Sequence, residues 1–399
     1  MAMLAIQAGA RAMAHIHEHG LRPEDITTVP GAAGGPKGLG LAKLDEWLFA
    51  DWLPSGFAKR ESPIQLIGAS IGAWRFACVC RGAINGEFSA DKTRASLQQF
   101  ADAYTAQYYP RKTPAHAISK AARELINTLF LDSIEDVLTH PHYRLNVLAV
   151  RGKGILAQEG NGRTHLGYAL AAFANVAGRQ HLRHFLDRTW FYANNKTPLN
   201  TGVFNQKGLE ASVDRQHLIN DFIDDKRNFD AFHTEYVALS VQNFADALVA
   251  SGSIPMILDG VKKIAGAPLG THWDGGIIDY HLHLPYGLNA TADGMHQGLV
   301  FYPHFTNQIV PGWLDKMLPW RRARGVWLDN VVMVSPTPEY LARLPMKKLP
   351  DRNDFMRFVD DYEGRMKYWR FAMEESARLR DELAESIERG KIAERLQPF

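Results

Sequence analysis

The sequence contains little cysteine and no excess of charge of either sign. Its 399 residues include only two cysteines, and 45 basic residues stand against 43 acidic ones, which gives a net charge of +2. Cys78 and Cys80 lie two positions apart in a predicted helix and point to different sides of it, so we expect buried thiols and no disulfide. A near-neutral chain has no strong field to attract nucleic acid, and no nucleic-acid partner is expected.

Long apolar runs are absent as well. No stretch reaches the roughly 18 uncharged apolar residues of a membrane-spanning helix. Residues 1–16 are apolar and rich in alanine, but they lack a basic start and contain Arg11. They therefore predict an amphipathic helix over about 3–19 and not a secretory signal, and we expect a cytoplasmic protein. The length fits two average domains or one large α/β domain with insertions.

Strand and helix patterns alternate along the chain. Short apolar, β-branched segments predict strands at 25–29, 64–68, 144–151, 235–241, 299–302 and 331–334. Helices are predicted at 39–51, 71–84, 90–109, 114–128, 133–139 and 244–250. This alternation indicates an α/β fold with a mostly parallel central sheet covered by helices. The segment 155–230 lacks clean periodicity and predicts outer helices in preference to an insertion, and the charged segment 353–396 predicts a helical C-terminal extension.

The turn after the second predicted strand carries a Gly-x-Ser-x-Gly motif, Gly68 to Gly72. A strand that turns sharply into a helix strains the residue at the turn and needs small neighbours, and the two glycines meet that need. Ser70 would then stand at the carboxyl end of the sheet, beside the amino end of the next helix, where N–H groups favour developing negative charge. We predict that Ser70 is a nucleophile; the alternative is an accidental match in a long chain.

The turn after the first predicted strand is rich in glycine. Segment 30–40 has the sequence Pro-Gly-Ala-Ala-Gly-Gly-Pro-Lys-Gly-Leu-Gly, and successive glycines can direct their N–H groups into one concavity that suits an anion. A phosphate loop of the Walker type needs Lys followed by Ser or Thr, whereas Lys37 is followed by Gly38 and Leu39. The oxyanion of an ester-cleavage intermediate fits the turn better, and a tight turn without a ligand is the alternative.

A third segment is a candidate to face the same cleft. Asp274 ends a short extended run, 271–273, and two glycines follow it, a pattern that places an aspartate at a tight turn. Upstream, the small-residue turn 250–255 could line the same cleft. Asp-Gly is also a common turn without a function, so the prediction of a functional role for Asp274 depends on the two motifs before it.

The three motifs together, in this order and spacing, resemble the patatin-like phospholipase family. Its hallmarks are a glycine-rich oxyanion turn, Gly-x-Ser-x-Gly, and Asp-Gly-Gly or Asp-Gly-Ala. The resemblance covers about residues 25–335, with a poor match over 155–230. It implies a patatin-like three-layer sandwich, with an acyl hydrolase domain over 1–345 and a charged helical C-terminal extension over 346–399.

Carried over by position, the family pattern makes Ser70 the nucleophile and Asp274 its general base, without a histidine. The residues that it assigns to the oxyanion turn and to substrate binding are Gly34, Gly35, Lys37 and Gly38. Lys37 stands where the family often has Arg, which keeps the positive charge but loses the planar fork, and Ala33 replaces the usual first glycine. The resemblance implies no cofactor and no metal, and no acidic loop with calcium-ligand spacing is visible.

The activity that the resemblance implies is hydrolysis of lipid carboxylic esters, of the phospholipase A or lysophospholipase type, through an acyl-enzyme. One alternative is an α/β-hydrolase-type esterase with a Ser-His-Asp triad. The histidines that follow Asp274 and could complete it are His281, His283, His296 and His304. Against it, that fold places its serine elbow after several strands, and this elbow follows the second. The other alternative is a catalytically silent lipid-binding protein of the same fold.

Segment 312–324 is the best candidate for contact with a lipid surface. It combines Trp313 and Trp320 with Arg321 and Arg322, and tryptophans beside clustered arginines suit an anionic membrane interface. We therefore expect a cytoplasmic protein that can associate peripherally with a membrane. A packed surface helix or loop is the alternative.

Overall fold

The computed structural model describes residues 2–193, 231–286, 298–323 and 325–399. These residues form an α/β fold around a large mixed, mostly parallel sheet. The strands are β1 (Leu4–Ala8), β2 (Ile26–Gly31), β3 (Ile64–Ala69), β4 (Ala83–Ile84), β5 (Glu87–Phe88), β6 (Tyr143–Gly152), β7 (Leu186–Ala193), β8 (Thr234–Leu239), β9 (Val261–Lys262), β10 (Thr271–Asp274), β11 (Leu299–Pro303), β12 (Val331–Pro336) and β13 (Leu396–Pro398). Strands β4 and β5 form a separate hairpin, and the others make up an eleven-stranded sheet.

Helices connect and cover the strands. They are α1 (Ala10–His19), α2 (Ala42–Trp47), α3 (Ile71–Cys80), α4 (Ala90–Thr105), α5 (Ala115–Phe130), α6 (Ile134–Leu138), α7 (Asn161–Ala177), α8 (Phe244–Gly252), α9 (Gly276–Asp279), α10 (Pro338–Arg343), α11 (Asp354–Arg357), α12 (Tyr362–Glu375) and α13 (Ala377–Glu388). A 3-10 helix over Gly35–Leu41 precedes α2. None of the described helices is long and apolar enough to cross a membrane.

The centre of the sheet is a block of parallel strands in the order β12-β11-β2-β3-β6. Every residue of β11 and β12 is buried. Because successive side chains of a strand point to opposite faces, continuous burial means that both faces of the sheet are covered. The carboxyl ends of parallel strands lie at one edge, so the turns that follow the neighbours β2 and β3 lie side by side there.

Strand β10 approaches this edge from the opposite direction. The long strand β6 pairs with β3 in parallel over 143–148 and with β10 in antiparallel over 149–151. Strands β3 and β10 therefore lie end to end, and their carboxyl ends meet. The meeting point joins Ser70, the residue after β3, to Asp274, the last residue of β10.

The C-terminal segment is built into the same body. Strand β13 pairs in parallel with β1, with Leu396 opposite Ile6. The backbone N–H of Lys43 in α2 donates to the Ser376 hydroxyl at 2.9 Å, and Trp369 of α12 is fully buried. The C-terminal helices predicted from 353–396 are thus present, and they pack on α2 and on the 3-10 helix that precedes it.

Most predicted elements are confirmed, and one is wrong in part. The strand predictions correspond to β2, β3, β6, β8, β11 and β12. The helix predicted over 3–19 begins only at Ala10, because Leu4–Ala8 is a strand that pairs with β12 in antiparallel. Its alternate residues Leu4, Ile6 and Ala8 are buried against the sheet, and this long-range pairing outweighs the helical tendency of an alanine-rich segment.

The poorly periodic segment 155–230 contains an outer helix, as predicted, and a strand that the sequence analysis missed. The helix is α7, and the strand β7 pairs with both β6 and β8. Residues 194–230 lie outside the described residues. Cys78 and Cys80 are buried, free thiols on α3, as the spacing predicts.

Candidate active site

Ser70 occupies a strained turn between β3 and α3. Its φ of 54° and ψ of −126° are rarely adopted by residues other than glycine. The flanking glycines allow the close approach that the turn requires: a Cβ on Gly72 would lie 1.9 Å from the Gly31 carbonyl oxygen, and one on Gly68 would lie 2.4 Å from the Ala73 nitrogen. The Gly-x-Ser-x-Gly motif therefore forms a sharp elbow with the serine at its tip.

The Ser70 hydroxyl contacts the Asp274 carboxylate directly. Oγ of Ser70 donates to Oδ2 of Asp274 at 2.8 Å, and the Gly276 N–H donates to Oδ1 at 2.7 Å. Both side chains are largely buried, with 8% and 7% of their residue surface exposed. The motifs predict Ser70 and Asp274 as a catalytic pair. The structure brings the two residues together although 204 positions separate them in the sequence.

A third residue, Ser251, holds the elbow in place. Its hydroxyl donates to the Leu148 carbonyl at 2.6 Å and accepts from the Ser70 N–H at 2.9 Å. The same turn fixes the aspartate, since the Asp274 N–H donates to the Ser253 carbonyl at 2.9 Å. The sequence predicts that the turn 250–255 can line the cleft, but no motif marks Ser251 for this role.

Burial determines the protonation behaviour of Asp274. It raises the pKa of the carboxyl to about 6 by disfavouring the charged form, while the Ser70 hydroxyl, the Gly276 N–H and the positive charge of Arg352 oppose the rise. The carboxylate is therefore the main form at neutral pH. A base with a pKa close to the working pH accepts a proton more readily than an ordinary exposed aspartate.

The glycine turn presents free N–H groups beside Ser70. Within the described residues, the N–H groups of Gly34 and Gly35 have no hydrogen-bond acceptor, and both residues line a cavity together with Ser70. Gly35 has a φ of 57°, which favours glycine. A Cβ on Gly34 would lie 2.6 Å from the Phe305 ring. These groups have the character of an oxyanion-binding turn.

The other two predicted members of the turn lie on different sides of it. Lys37 lines the cavity, and its Nζ stands 5.1 Å from the centre of the Phe305 ring. Burial lowers the pKa of Lys37, and the nearby Lys316 lowers it further. Gly38 packs instead against α3, where a Cβ would lie 3.1 Å from the Ile71 side chain, and it is not on the wall of the cavity that holds Ser70.

Two cavities meet at Ser70. The smaller has a volume of about 180 Å³ and is lined by Ser70, Asp274 and the glycine turn. The larger has a volume of about 530 Å³ and a mainly apolar wall. Its apolar and aromatic lining residues include Ile71, Trp74, Tyr104, Ile118, Ile257, Leu258, Phe355 and Met356. Arg352 and Asn353, which precede α11, lie on the walls of both cavities.

The described histidines after Asp274 do not reach the Ser70–Asp274 pair. His281 and His304 are buried, with ring centres 4.3 Å apart in an edge-to-face contact, and His283 packs on Trp327. None of the three lines either cavity, and His296 lies outside the described residues. Within the described ranges, no group of three or more His, Cys, Asp or Glu residues could hold a metal ion.

The four residues proposed for membrane contact differ in exposure. Trp320 is 69% exposed, whereas Trp313 is half-buried and lines the smaller cavity. Arg321 donates to the Asn175 carbonyl at 2.9 Å, and Arg322 donates to the Leu318 carbonyl at 3.0 Å. The two guanidinium groups are therefore engaged within the protein. The apolar face of α7, beside this segment, is exposed, a feature that the sequence analysis missed; its residues are Leu166, Leu170, Phe173 and Val176.

Comparison of the chain with protein-family models and with curated proteins finds no match. The features that bear on its function are the hydroxyl–carboxylate contact of Ser70 and Asp274, the free N–H groups of the glycine turn, and the two cavities.

Proposed function

We propose that the chain is a serine acyl hydrolase that cleaves lipid carboxylic esters with a Ser70–Asp274 dyad. The observation that carries this proposal is the 2.8 Å hydrogen bond from the Ser70 hydroxyl to the buried Asp274 carboxylate at a strained elbow. The resemblance to patatin-like phospholipases implies the same activity, a three-layer sandwich of the patatin type and the same two residues. The strand–elbow–helix unit beside a glycine turn supports that assignment.

The dyad supplies both proton transfers of ester cleavage. As Oγ of Ser70 attacks the ester carbonyl carbon, Asp274 takes the hydroxyl proton. The intermediate then collapses, the bond from the carbonyl carbon to the leaving oxygen breaks, and Asp274 returns the proton to the leaving alcohol. In the second half, Asp274 takes a proton from water, the hydroxide attacks the acyl-enzyme, and the carboxylic acid leaves as Ser70 regains its proton.

The glycine turn has the groups to stabilise both intermediates. The negative charge of each intermediate develops on the former carbonyl oxygen, and the N–H groups of Gly34 and Gly35 are available to donate to it. A preorganised donor of this kind typically lowers the barrier by about 3–4 kcal/mol. The Ser70 N–H is occupied by Ser251, so the turn is the more suitable source of donors.

The larger cavity suits the acyl chain. Its wall is mainly aliphatic and aromatic, it reaches Ser70, and Trp74 and Tyr104 stand on it. Burial of an aliphatic chain on such a wall is favourable by about 0.8 kcal/mol per methylene group. This is the basis for proposing lipid esters and not small hydrophilic esters as substrates.

Labelling with a fluorophosphonate probe tests the dyad. The wild-type protein should be labelled, Ser70→Ala should not, and Asp274→Asn should react far more slowly because its amide cannot accept the hydroxyl proton. Ser62, which is exposed and outside the site, provides the matched control Ser62→Ala, which should be labelled like the wild type.

Two outcomes would redirect the proposal. Loss of labelling in a folded His283→Ala variant would favour a Ser-His-Asp triad. Absence of labelling in the folded wild-type protein would favour a catalytically silent lipid-binding protein.

A further inference from the structure

A tyrosine hydroxyl on the wall of the larger cavity faces the glycine turn. Tyr104 lines this cavity together with Ser70 and Gly35. Its Oη lies 3.8 Å from the position that a Cβ on Gly35 would occupy. Apart from the two chain neighbours of Gly35, no other heavy atom of the described residues comes within 4 Å of that position. The Tyr104 hydroxyl is therefore the group that stands opposite Gly35 across the cavity.

This hydroxyl is available as a hydrogen-bond donor. Within the described residues, Oη of Tyr104 neither donates nor accepts a hydrogen bond. Burial raises the pKa of Tyr104 above its ordinary value, and the neighbouring Tyr109 and Asp274 raise it further, against the opposing charges of Arg352 and Arg365. The phenol therefore keeps its proton at neutral pH, and its O–H can be donated to an acceptor in the cavity.

Three aromatic side chains hold the ring of Tyr104 in place. Its centre lies 5.7 Å from the ring centre of Phe100 and 6.4 Å from those of Trp74 and Trp369. These partners belong to α4, α3 and α12, and all three are buried. Trp74 is itself anchored, since its Nε1 donates to the Leu248 carbonyl at 2.8 Å. A donor that rigid elements hold in this way needs little rearrangement when negative charge develops beside it.

The hydroxyl adds a third donor to those of the glycine turn. The N–H groups of Gly34 and Gly35 have no acceptor within the described residues. Gly35 and Ser70 lie on the walls of both cavities, so the turn, the nucleophile and Tyr104 border one continuous space. An oxyanion can accept several hydrogen bonds at once, and a hydrogen bond to an anionic oxygen is about twice as strong as one between neutral groups.

We propose that the Tyr104 hydroxyl donates a hydrogen bond to the oxyanion of each tetrahedral intermediate, beside the N–H groups of the glycine turn. This proposal rests on the proposed function, because the oxyanion forms only when Ser70 or water attacks the carbonyl carbon. Tyr104 is then a catalytic residue, since its hydroxyl contacts the reacting carbonyl oxygen. It keeps its own proton throughout, and Asp274 carries out the proton transfers. None of the three sequence motifs contains Tyr104.

The variant Tyr104→Phe tests the proposal, because it removes the hydroxyl and keeps the ring. On p-nitrophenyl octanoate its kcat should fall about 100-fold, a loss typical of one oxyanion donor. KM should change little, because the acyl chain holds the ground-state ester. The midpoint of urea unfolding should match that of the wild type, since the hydroxyl has no partner within the described residues.

The adjacent residue Tyr108 provides the matched control. Its side chain is 53% exposed and lines neither of the two cavities. Tyr108→Phe also removes a phenol hydroxyl and should keep the wild-type kcat. A kcat of Tyr104→Phe close to the wild-type value, or an equal loss in both variants, would overturn the proposal.

Binding of octanoate tests the same contact without hydrolysis. In the Ser70→Ala variant, a carboxylate oxygen of octanoate can take the place of the oxyanion while the alkyl chain enters the larger cavity. Adding Tyr104→Phe should weaken octanoate binding about tenfold in calorimetry, because a hydrogen bond to a charged group is lost. Adding Tyr108→Phe should leave the affinity unchanged. Equal affinity with and without the Tyr104 hydroxyl would overturn the proposal.

The two proposals fail in different ways. If the acyl hydrolase proposal alone fails, the wild-type protein shows neither hydrolysis nor fluorophosphonate labelling, while Tyr104→Phe still weakens octanoate binding. If the role of Tyr104 alone fails, the wild-type protein is labelled and hydrolyses the ester, and Tyr104→Phe hydrolyses it just as fast.

Discussion

The raised pKa of Asp274 has two opposing effects on its action as a base. Burial raises its pKa to about 6, which makes the carboxylate a better proton acceptor for Ser70. The same rise means that the carboxyl becomes protonated, and useless as a base, at a pH where an exposed aspartate is still ionised. The groups that face it are the Ser70 hydroxyl, the Gly276 N–H and the cation of Arg352, and all three favour the ionised form.

We therefore predict that kcat/KM for a neutral ester falls as the pH drops through about 6. Because Arg352 lowers the pKa of Asp274, the variant Arg352→Gln should move this acid limb to higher pH, whereas Arg357→Gln should leave it in place. The measurement is a pH–rate profile of each protein on a p-nitrophenyl ester. A profile that stays flat through that pH, or an equal shift in both variants, would contradict the role assigned to Asp274.

The same pKa shift affects stability with a definite sign. The folded carboxyl keeps its proton up to about pH 6, whereas in the unfolded chain it releases the proton near the ordinary value of 3.8. Between these values the folded state binds more protons, so the contribution of Asp274 to the free energy of unfolding decreases as the pH rises through this window. At neutral pH the site therefore holds Asp274 in the ionised form, which burial disfavours. Carboxylates at functional sites often have a pKa shifted in this way.

Individual site residues differ in how far the sequence reveals them. Ser70 and Asp274 stand in short local motifs, and the identity of the neighbouring glycines marks them. Ser251 has no such mark, because its role depends on Ser70 and Leu148, which lie 181 and 103 positions away. No motif in the sequence marks Lys316 or Arg352 either, and their position on the cavity wall with Ser70 depends on the fold.

At the scale of elements, the elbow depends on the close packing of α3 on the last residue of β2. Gly72 makes that contact, and a Cβ there would overlap the Gly31 carbonyl at 1.9 Å. We predict that Gly72→Ala lowers the free energy of unfolding by about 1–3 kcal/mol, the range typical of overpacking. It should also slow fluorophosphonate labelling, because the end of β2 at Gly31 must move away from the elbow that carries Ser70.

Urea unfolding checks the stability change. Gly162 provides the control, since it lies in α7 and a Cβ there would have nothing within 4 Å. Gly162→Ala should raise stability by about 0.5–1 kcal/mol because alanine loses less backbone freedom in a helix. Equal effects of the two substitutions would show that packing at the elbow is not the cause.

The elements that the sequence predicts well are those with a local signal. The β2–turn–helix and β3–elbow–α3 units carry glycine motifs and apolar runs, and the sequence predicts both. The sequence predicts a helix where β1 forms, because Leu-Ala-Ile-Gln-Ala fits either period, and the pairing of β1 with β12 determines the strand. The end-to-end meeting of β3 and β10 on β6 has no local signal, since it depends on the register of a strand that lies between them in sequence.

At the scale of the whole molecule, an apolar surface adjoins the site. It consists of Met317 and Trp320 with the exposed face of α7; the α7 residues are Leu166, Leu170, Phe173 and Val176. The segment that carries Trp320 is attached to the C-terminal end of α7 by the hydrogen bond from Arg321 to the Asn175 carbonyl. Trp313 and Lys316 of the same segment line the smaller cavity, so this surface borders the cavity that holds Ser70.

We predict that this surface associates with lipid bilayers. The most exposed side chains on it are Met317 at 86%, Phe173 at 76% and Trp320 at 69%. Insertion of such side chains into the interface, with Lys316 near anionic headgroups, should give reversible binding to vesicles that contain anionic lipid. The double variant Phe173→Ala with Trp320→Ala should reduce the bound fraction in a co-sedimentation assay, while its fluorophosphonate labelling in solution stays at the wild-type level.

The opposite edge of the sheet supplies the control for this assay. Ile84 is 49% exposed in the hairpin of β4 and β5. Phe88 of the same hairpin packs on Tyr143 at the amino end of β6, so the hairpin lies far along the strand direction from Ser70. Ile84→Ala removes a comparable exposed apolar side chain and should leave vesicle binding unchanged. If the double variant and Ile84→Ala bind vesicles as well as the wild type does, the apolar surface beside the cavity serves another purpose, and substrate must reach Ser70 as dispersed molecules.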